Sequence, residues 1–258
     1  VGVHTTQFEI REHGLYEPVL QIAYETAMSW KPLGGARPLA MVAGLVGSTA
    51  QAVREAQLAC AIGYHAGLLS LGGWAQASED ELLHHCQSVA QHIPLVGFYL
   101  QPAVGGRVLP RRFWQAFASL DQVVAIKVAP FNRYRTLDVI HGLVAARAED
   151  RITLYTGNDD HILLDLTLPF EVMRDGVPVR VRFNGGLLGH WSVWTQKAVA
   201  LFDRCRTVRL QNSVPDDFLA LDAQVTDCNA AFFDVANEFQ GGIAGCHEGL
   251  RQIGRAHV

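Results

Sequence analysis

The sequence predicts an α/β protein: a (β/α)8 TIM barrel lacking its first βα unit, followed by C-terminal helices. Three observations carry this. Short apolar, β-branched runs alternate with helical patterns of roughly ten to fifteen residues, the signature of βαβ units and a parallel sheet. No Gly-x-Gly-x-x-Gly follows any strand, so the dinucleotide-binding version of an open doubly wound sheet has no support. About the last 60 residues read as helices beyond the final strand. With 258 residues and 49% hydrophobic content, the chain can bury a full core.

In order, Val1-Gly2-Val3 reads as the end of a strand. The polar loop His4-Thr5-Thr6-Gln7-Phe8 follows, then a helix from about Leu15 to Trp30 that the Pro/Gly stretch at 31–35 ends. Residues 38–44 form the next strand, and Ser48-Thr49-Ala50-Gln51 opens a helix to about Ile62 as a capping box. A strand at 66–71 precedes a second box, Ser78-Glu79-Asp80-Glu81, and a helix to about Gln91. The strand at 94–100 leads to Pro110, placed at position N1 of a helix reaching Leu120. Residues 123–129 are a strand, 134–146 a helix and 151–156 a strand. Arg174-Asp175-Gly176-Val177 marks a turn between two short inserted strands, and 184–189 is one more short strand. Helices are expected near 192–206, 216–236 and 240–252. Seven strands result, the first only as its tail, so the barrel is expected to lack its first βα unit and most of its second strand. The expected division is a partial barrel over 1–190 and, over 191–252, the last barrel helix and a helical region. Residues 253–258 match one reading frame of a common sequencing adapter and are expected to be a non-native tail.

A net charge of −4 and a pI near 6.3 leave no basic footprint for nucleic acid. No apolar run approaches the roughly 18 residues that span a bilayer. The five cysteines are widely spaced with no Cys-x-x-Cys, which reads as reduced thiols in a cytoplasmic protein.

The chemistry centres on Val123-Val124-Ala125-Ile126-Lys127-Val128-Ala129. The chain has three lysines, Lys31, Lys127 and Lys197, against eighteen arginines, and only Lys127 sits inside an apolar run. An ammonium there must be paired or must lose its proton. Pulled down from about 10.4, a lysine becomes a nucleophilic amine that forms a Schiff base with a carbonyl. The alternative is a strand-end lysine that snorkels to water or pairs with a carboxylate. The C-terminal strand ends of a barrel face the active site. They gather Thr5-Thr6, Gly72-Gly73-Trp74, Tyr99, Lys127, Gly157-Asn158-Asp159-Asp160 and Gly189-His190. Imine formation moves protons, and Tyr99, one strand earlier, is the candidate shuttle; otherwise it is a core or rim tyrosine.

These residues resemble the dihydrodipicolinate synthase/N-acetylneuraminate lyase superfamily. The run from Pro94 to Pro102 is similar to its tyrosine strand and Ala125-Ile126-Lys127 to its Gly-Ile-Lys strand, with 28 residues from Tyr99 to Lys127. Val3-His4-Thr5-Thr6 resembles its Gly-Thr-Thr-Gly-Glu loop, residues 155–160 its Ser-Gly-Asp-Asp segment, and Gly186-Leu187-Leu188 the Gly-Val-Ile of its final strand. The resemblance implies that Lys127 forms an imine with pyruvate or a related 2-keto acid and that Tyr99 shuttles protons. Thr5 and Thr6 would hold the keto-acid carboxylate through N–H groups and hydroxyls, and Gly157 and the Leu188 carbonyl would line the pocket. No cofactor and no metal are implied; the partners are a small 2-keto acid and a second carbonyl compound, and the family's habit is the homo-oligomer.

The chain departs from the family where a second substrate would sit. Val104 stands where an arginine is expected, with Arg107 the nearest substitute, and Gly72-Gly73-Trp74-Ala75 stands where a relay tyrosine is expected. The expected activity is therefore a Schiff-base-forming (class I) lyase or aldolase with an unidentified second substrate. The alternatives are a 2-keto-sugar-acid dehydratase using the same lysine and a catalytically inactive barrel with a binding or regulatory role. His84-His85 point about 100° apart on a helix and cannot share a metal. Asp159-Asp160 are either an acid/base pair or loop and capping carboxylates. Trp74, Trp191 and Trp194 either wall the pocket or pack the core.

Overall fold

The computed structural model describes residues 1–3, 8–30, 39–187, 189–211 and 213–255. Six strands form one parallel sheet: β1 (Val42–Leu45), β2 (Ala66–Leu69), β3 (Leu95–Leu100), β4 (Val123–Ala129), β5 (Thr153–Thr156) and β8 (Phe183–Gly186). They pair in that order. The Val1 segment lies along the free edge of β1, where its ammonium donates to the Val42 carbonyl at 2.9 Å and its carbonyl accepts from Gly44 N–H at 2.6 Å. The strand end expected at Val1–Val3 is not formed as a strand, because Gly2 holds a φ of 78°, but the segment bonds to the β1 edge where that strand would lie. Helices α1 (Tyr16–Ser29), α2 (Thr49–Ile62), α3 (Glu79–Ala90), α4 (Arg111–Ala118), α5 (Arg133–Ala145) and α6 (Ile162–Thr167) alternate with the strands. This is the strand order and layering of a (β/α)8 barrel, with fewer than eight strands among the described residues.

Alternation along each strand sorts the side chains into two layers. Leu69, Leu95, Tyr99, Ile126, Val128, Leu154 and Phe183 face the helices and join the main core with Phe113, Trp114 and Phe117 of α4. Ala66, Leu68, Val96, Phe98, Leu100, Ala125 and Ala129 form a separate cluster on the inner face. Both faces are covered, which is why the strands read as apolar runs. Between β5 and β8, β6 (Phe170–Arg174) and β7 (Val177–Val181) make an antiparallel hairpin outside the sheet, the inserted pair that the turn signal predicts. Asp175 and Gly176 hold φ of 54° and 80°, and two consecutive left-handed residues are what a tight two-residue hairpin requires.

Helix ends follow their capping residues, with two differences. Ser78 forms a complete capping box with Glu81. At α2, Ser48 accepts from Gln51 N–H, but the Gln51 amide turns to Glu55 and the reciprocal bond is missing. Pro110 is the residue before α4 in extended conformation, one position earlier than expected; its fixed φ serves either place.

The remaining helices α7 (Thr195–Val208), α8 (Asp216–Phe233) and α9 (Gly242–Gln252) pack back against the barrel. Asp222 of α8 is the main tie. Its Oδ1 accepts from the N–H groups of Leu163 and Leu164 at the start of α6, and its Oδ2 pairs with His161 at 3.0 Å. A carboxylate there satisfies orphan donors and opposes the positive end of the helix. Among the described residues no helix is long and apolar enough to cross a membrane.

Ser78→Ala should lower unfolding stability by about 0.5–2 kcal/mol, the usual worth of an N-cap. A shifted urea midpoint with an unchanged slope checks it; no shift would mean that α3 is held by packing alone.

Candidate active site

Register decides which side chains meet. Along β3, β4 and β5, Phe98 pairs with Lys127 and Lys127 with Tyr155, so these three share a row on the inner face. The Lys127 ammonium lies 4.7 Å from the centre of the Phe98 ring, a cation–π contact that offsets little of what is lost by leaving water. Among the described residues Lys127 makes no ion pair. Burial accordingly pulls its pKa down to about 8. Lys127 is half-buried, and among the described residues no carboxylate pairs with it.

Lys127 opens into a cavity of about 200 Å³ at the C-terminal ends of the strands. Gly157 lines it at the end of β5, as expected from the sequence, and its lack of a side chain is required. A Cβ there would meet Lys127 Cε at 2.9 Å, Ala129 Cβ at 3.0 Å and the Leu187 carbonyl at 3.1 Å. Thr5, Thr6 and Leu188, the other expected binding residues, lie outside the described residues, as does His4.

Tyr99 is not beside the lysine. It pairs with Val128, so its side chain points to the opposite face from Lys127. There it is fully buried, 4.9 Å from the Trp114 ring, and its hydroxyl donates to the Leu109 carbonyl at 3.3 Å and accepts from Leu109 N–H at 3.2 Å. Burial raises its pKa further. Sequence spacing finds the two strands but cannot assign faces across a bulged pair, and β3 and β4 slip by one residue near Val96. Tyr99 is thus a satisfied core tyrosine of the outer layer.

Asp159 takes the more informative place. It is buried, lines the same cavity, and has its pKa pushed up to about 7 by burial and by the neighbouring Asp160. Lys127 and Asp159 are thus the two cavity-lining groups that burial shifts toward neutrality.

The loop carrying it is held by a buried polar network. Asn158 donates from its amide to Thr136 Oγ1 at 3.1 Å and to Asp165 Oδ2 at 3.0 Å, while its Oδ1 accepts from Phe131 N–H at 3.1 Å. Thr156 donates to the same Asp165 oxygen at 2.7 Å, and Arg133 pairs with the other one. The loops after β4 and β5 are thereby locked together. Nothing in the sequence marks Asn158 or Asp165 as members, because their partners are 22 and 32 residues away in the chain.

The outer walls come from distant segments: Phe8 and Glu9, Val104 after β3, Phe131 after β4, and Phe233, Phe239 and Ile243 around the α8–α9 junction. Phe131 and Phe239 lie 5.6 Å apart between ring centres, with φ of 47° and 66°. A bulky residue in the left-handed region costs about 1–3 kcal/mol, so these rings are held over the pocket against backbone preference. Other expected residues are elsewhere. The buried His190 ring stacks on Phe232 and bonds Asn229, away from the lysine. Trp74 donates to the Gly47 carbonyl, and Trp191 and Trp194 lie along α7 and α8, so none of the three walls this cavity. His85 is buried against Thr49 while His84 is exposed, so the two point apart as their helical spacing demands. Arg107 donates to the Trp74 and Ala77 carbonyls and is not part of the cavity.

Gly157→Ala should destabilise the fold by about 1–3 kcal/mol, the range for overpacking, and displace the lysine side chain. Thermal unfolding checks the first effect. Amine reactivity at Lys127, read by mass spectrometry, checks the second; wild-type values for both would mean that the close approach is easily relieved.

The comparisons with known proteins agree with this layout. The model of the dihydrodipicolinate synthetase family matches residues 35–172. Dihydrodipicolinate synthase from Bacteroides thetaiotaomicron superposes with a TM-score of 0.72 at 14% identity, covering 94% of this chain and 72% of that one. An E. coli prophage protein of the dihydrodipicolinic acid synthase family, solved in complex with pyruvate, gives 0.70 at 18% identity, covering 94% and 73%. A variant of the Sulfolobus solfataricus 2-keto-3-deoxygluconate aldolase gives 0.55 at 13%, covering 84% and 63%. No curated protein sequence matches the chain. With a family model over half its length and the fold of the solved members, the chain belongs to the dihydrodipicolinate synthetase family.

Proposed function

We propose that this protein is a Schiff-base-forming lyase or aldolase that takes pyruvate or another 2-keto acid on Lys127. The observation that carries the reading is a lysine on the inner face of the sheet with no ion-pair partner among the described residues, its pKa drawn to about 8, opening into a cavity. Neutral amine is the nucleophile, and at pH 7 a pKa near 8 leaves roughly a tenth of it deprotonated, hundreds of times more than an unperturbed lysine. Pyruvate bound to the E. coli prophage relative supports the choice of keto acid.

In this mechanism the Lys127 amine adds to the ketone carbon, and the carbinolamine loses water to give the imine. We assign the supply and recovery of protons to Asp159, which lines the same cavity and whose pKa is pushed up to about 7, in the role that the sequence suggests for Tyr99. Thr5 and Thr6 remain the proposed carboxylate holders.

Borohydride added with pyruvate should fix a reduced pyruvyl adduct on Lys127, and Lys127→Ala should abolish it. Adduct on Lys31 or Lys197 instead would sink the mechanism. The adduct should form faster as pH rises toward 7, roughly tenfold per unit, because only the neutral amine reacts. Adduct formation and turnover should both peak between pH 7 and 8: protonated Asp159 is lost above about 7 while neutral Lys127 is gained up to about 8. Asp159→Asn should cut turnover by roughly 10²–10⁴-fold, and an unchanged rate would remove Asp159 from the proton path.

A further inference from the structure

We infer that the half of the cavity beyond the lysine is built for an uncharged, apolar aldehyde, above all an aromatic one. This rests on the Schiff-base reading of Lys127. Three observations carry it.

The first is the wall. Phe8, Val104, Phe131, Phe233, Phe239 and Ile243 enclose the outer part of the cavity, so a ligand reaching past Lys127 leaves water for apolar and aromatic surface. The second is charge. Among the described lining residues Lys127 is the only cation, and its amine is used in the imine. The other ionisable lining groups are the acids Glu9 and Asp159. An anionic aldehyde would meet two carboxyl groups and no guanidinium, since Arg107 is committed to backbone carbonyls elsewhere. A polyhydroxylated aldehyde would find Gln101, Gln240, Glu9 and Asp159 as partners, but the apolar and aromatic side chains that make up most of the described lining leave its remaining hydroxyl donors and acceptors costly to desolvate. The third is backbone strain. Phe131 and Phe239 both hold left-handed φ while their rings meet over the cavity. Strain kept at a site marks a placement that matters to the site, and two rings tilted 54° to each other offer a ligand ring both a face and an edge.

The chemistry balances without a further reactant. The imine of pyruvate on Lys127 loses a methyl proton to become an enamine. Its terminal carbon forms a bond to the aldehyde carbon, and the aldehyde oxygen takes up a proton. The water released on imine formation is matched by the water that hydrolyses the product imine. A 4-hydroxy-2-keto acid bearing the aryl group leaves, and the free amine is restored.

The test offers the whole chain pyruvate with benzaldehyde, succinic semialdehyde or glyceraldehyde, beside borohydride trapping of pyruvate alone. The expected result is trapping at Lys127 and a kcat/KM for benzaldehyde at least about tenfold above the other two. Trapping with no benzaldehyde turnover, or with preference for either polar aldehyde, overturns this inference and leaves the Schiff-base reading standing. No trapping overturns that reading, and this inference with it. Val104→Arg, in protein that still traps pyruvate, should lower kcat/KM for benzaldehyde and raise it for succinic semialdehyde, each by about tenfold. An unchanged ratio overturns the assignment of the wall.

Discussion

The site depends on a lysine that the sheet register commits to the inner face, without a counter-ion among the described residues. Phe98, Lys127 and Tyr155 stand level on three adjacent parallel strands, and an odd slip between any two would send the lysine to the helix side. There it would press into the cluster of Trp114, Phe113 and Phe117 under α4. Desolvating an ammonium without a partner is unfavourable for folding, and the fold accepts it at one position. Below pH 8 the lysine is charged in both folded and unfolded chains and the folded one bears that strain. Between about 8 and 10.4 the unfolded chain binds the additional proton, so stability rises with pH across that window. The destabilised charge and the reactive amine are the same property.

Holding such a group requires rigid surroundings, and these are polar rather than apolar. Asp165 accepts from Thr156 and Asn158 and pairs with Arg133, while Asn158 reaches across to Thr136 and Phe131. Every member has its partners, which is the condition under which a buried network stiffens a structure instead of weakening it. The network fixes Gly157 against Lys127 on one side and lifts Phe131 toward the α8–α9 junction on the other. The C-terminal helices therefore help to build the site. Asp222 anchors α8 on the start of α6, and from there Phe233 and Phe239 reach the cavity.

Much was legible in the sequence because it is local. Strand runs, helix periods, the Ser78 capping box, the Asp175-Gly176 turn and the isolated lysine at 127 each follow from a few neighbouring residues and the backbone rules that act on them. These suffice for the order of βα units, and the length of the chain between strands then favours parallel pairing on chirality grounds. They also isolate Lys127 as the one amine forced out of water.

What neighbouring residues cannot carry is which face a side chain takes when two strands pair, and which distant segments close a cavity. Tyr99 and Lys127 look like partners at 28 residues apart, yet a one-residue irregularity between β3 and β4 leaves them on opposite sides of the sheet. In the sequence Asp159 is open between an acid/base pair with Asp160 and a loop or capping carboxylate, and only burial beside Asp160 shifts it toward neutrality. The aromatic wall joins Phe8, Phe131 and Phe239, more than two hundred residues from first to last. By itself the sequence determined the barrel units and singled out the lysine inside an apolar strand. Only the tertiary structure decided which acid shares that lysine's cavity and what kind of surface lines it, because both depend on pairing register and long-range packing.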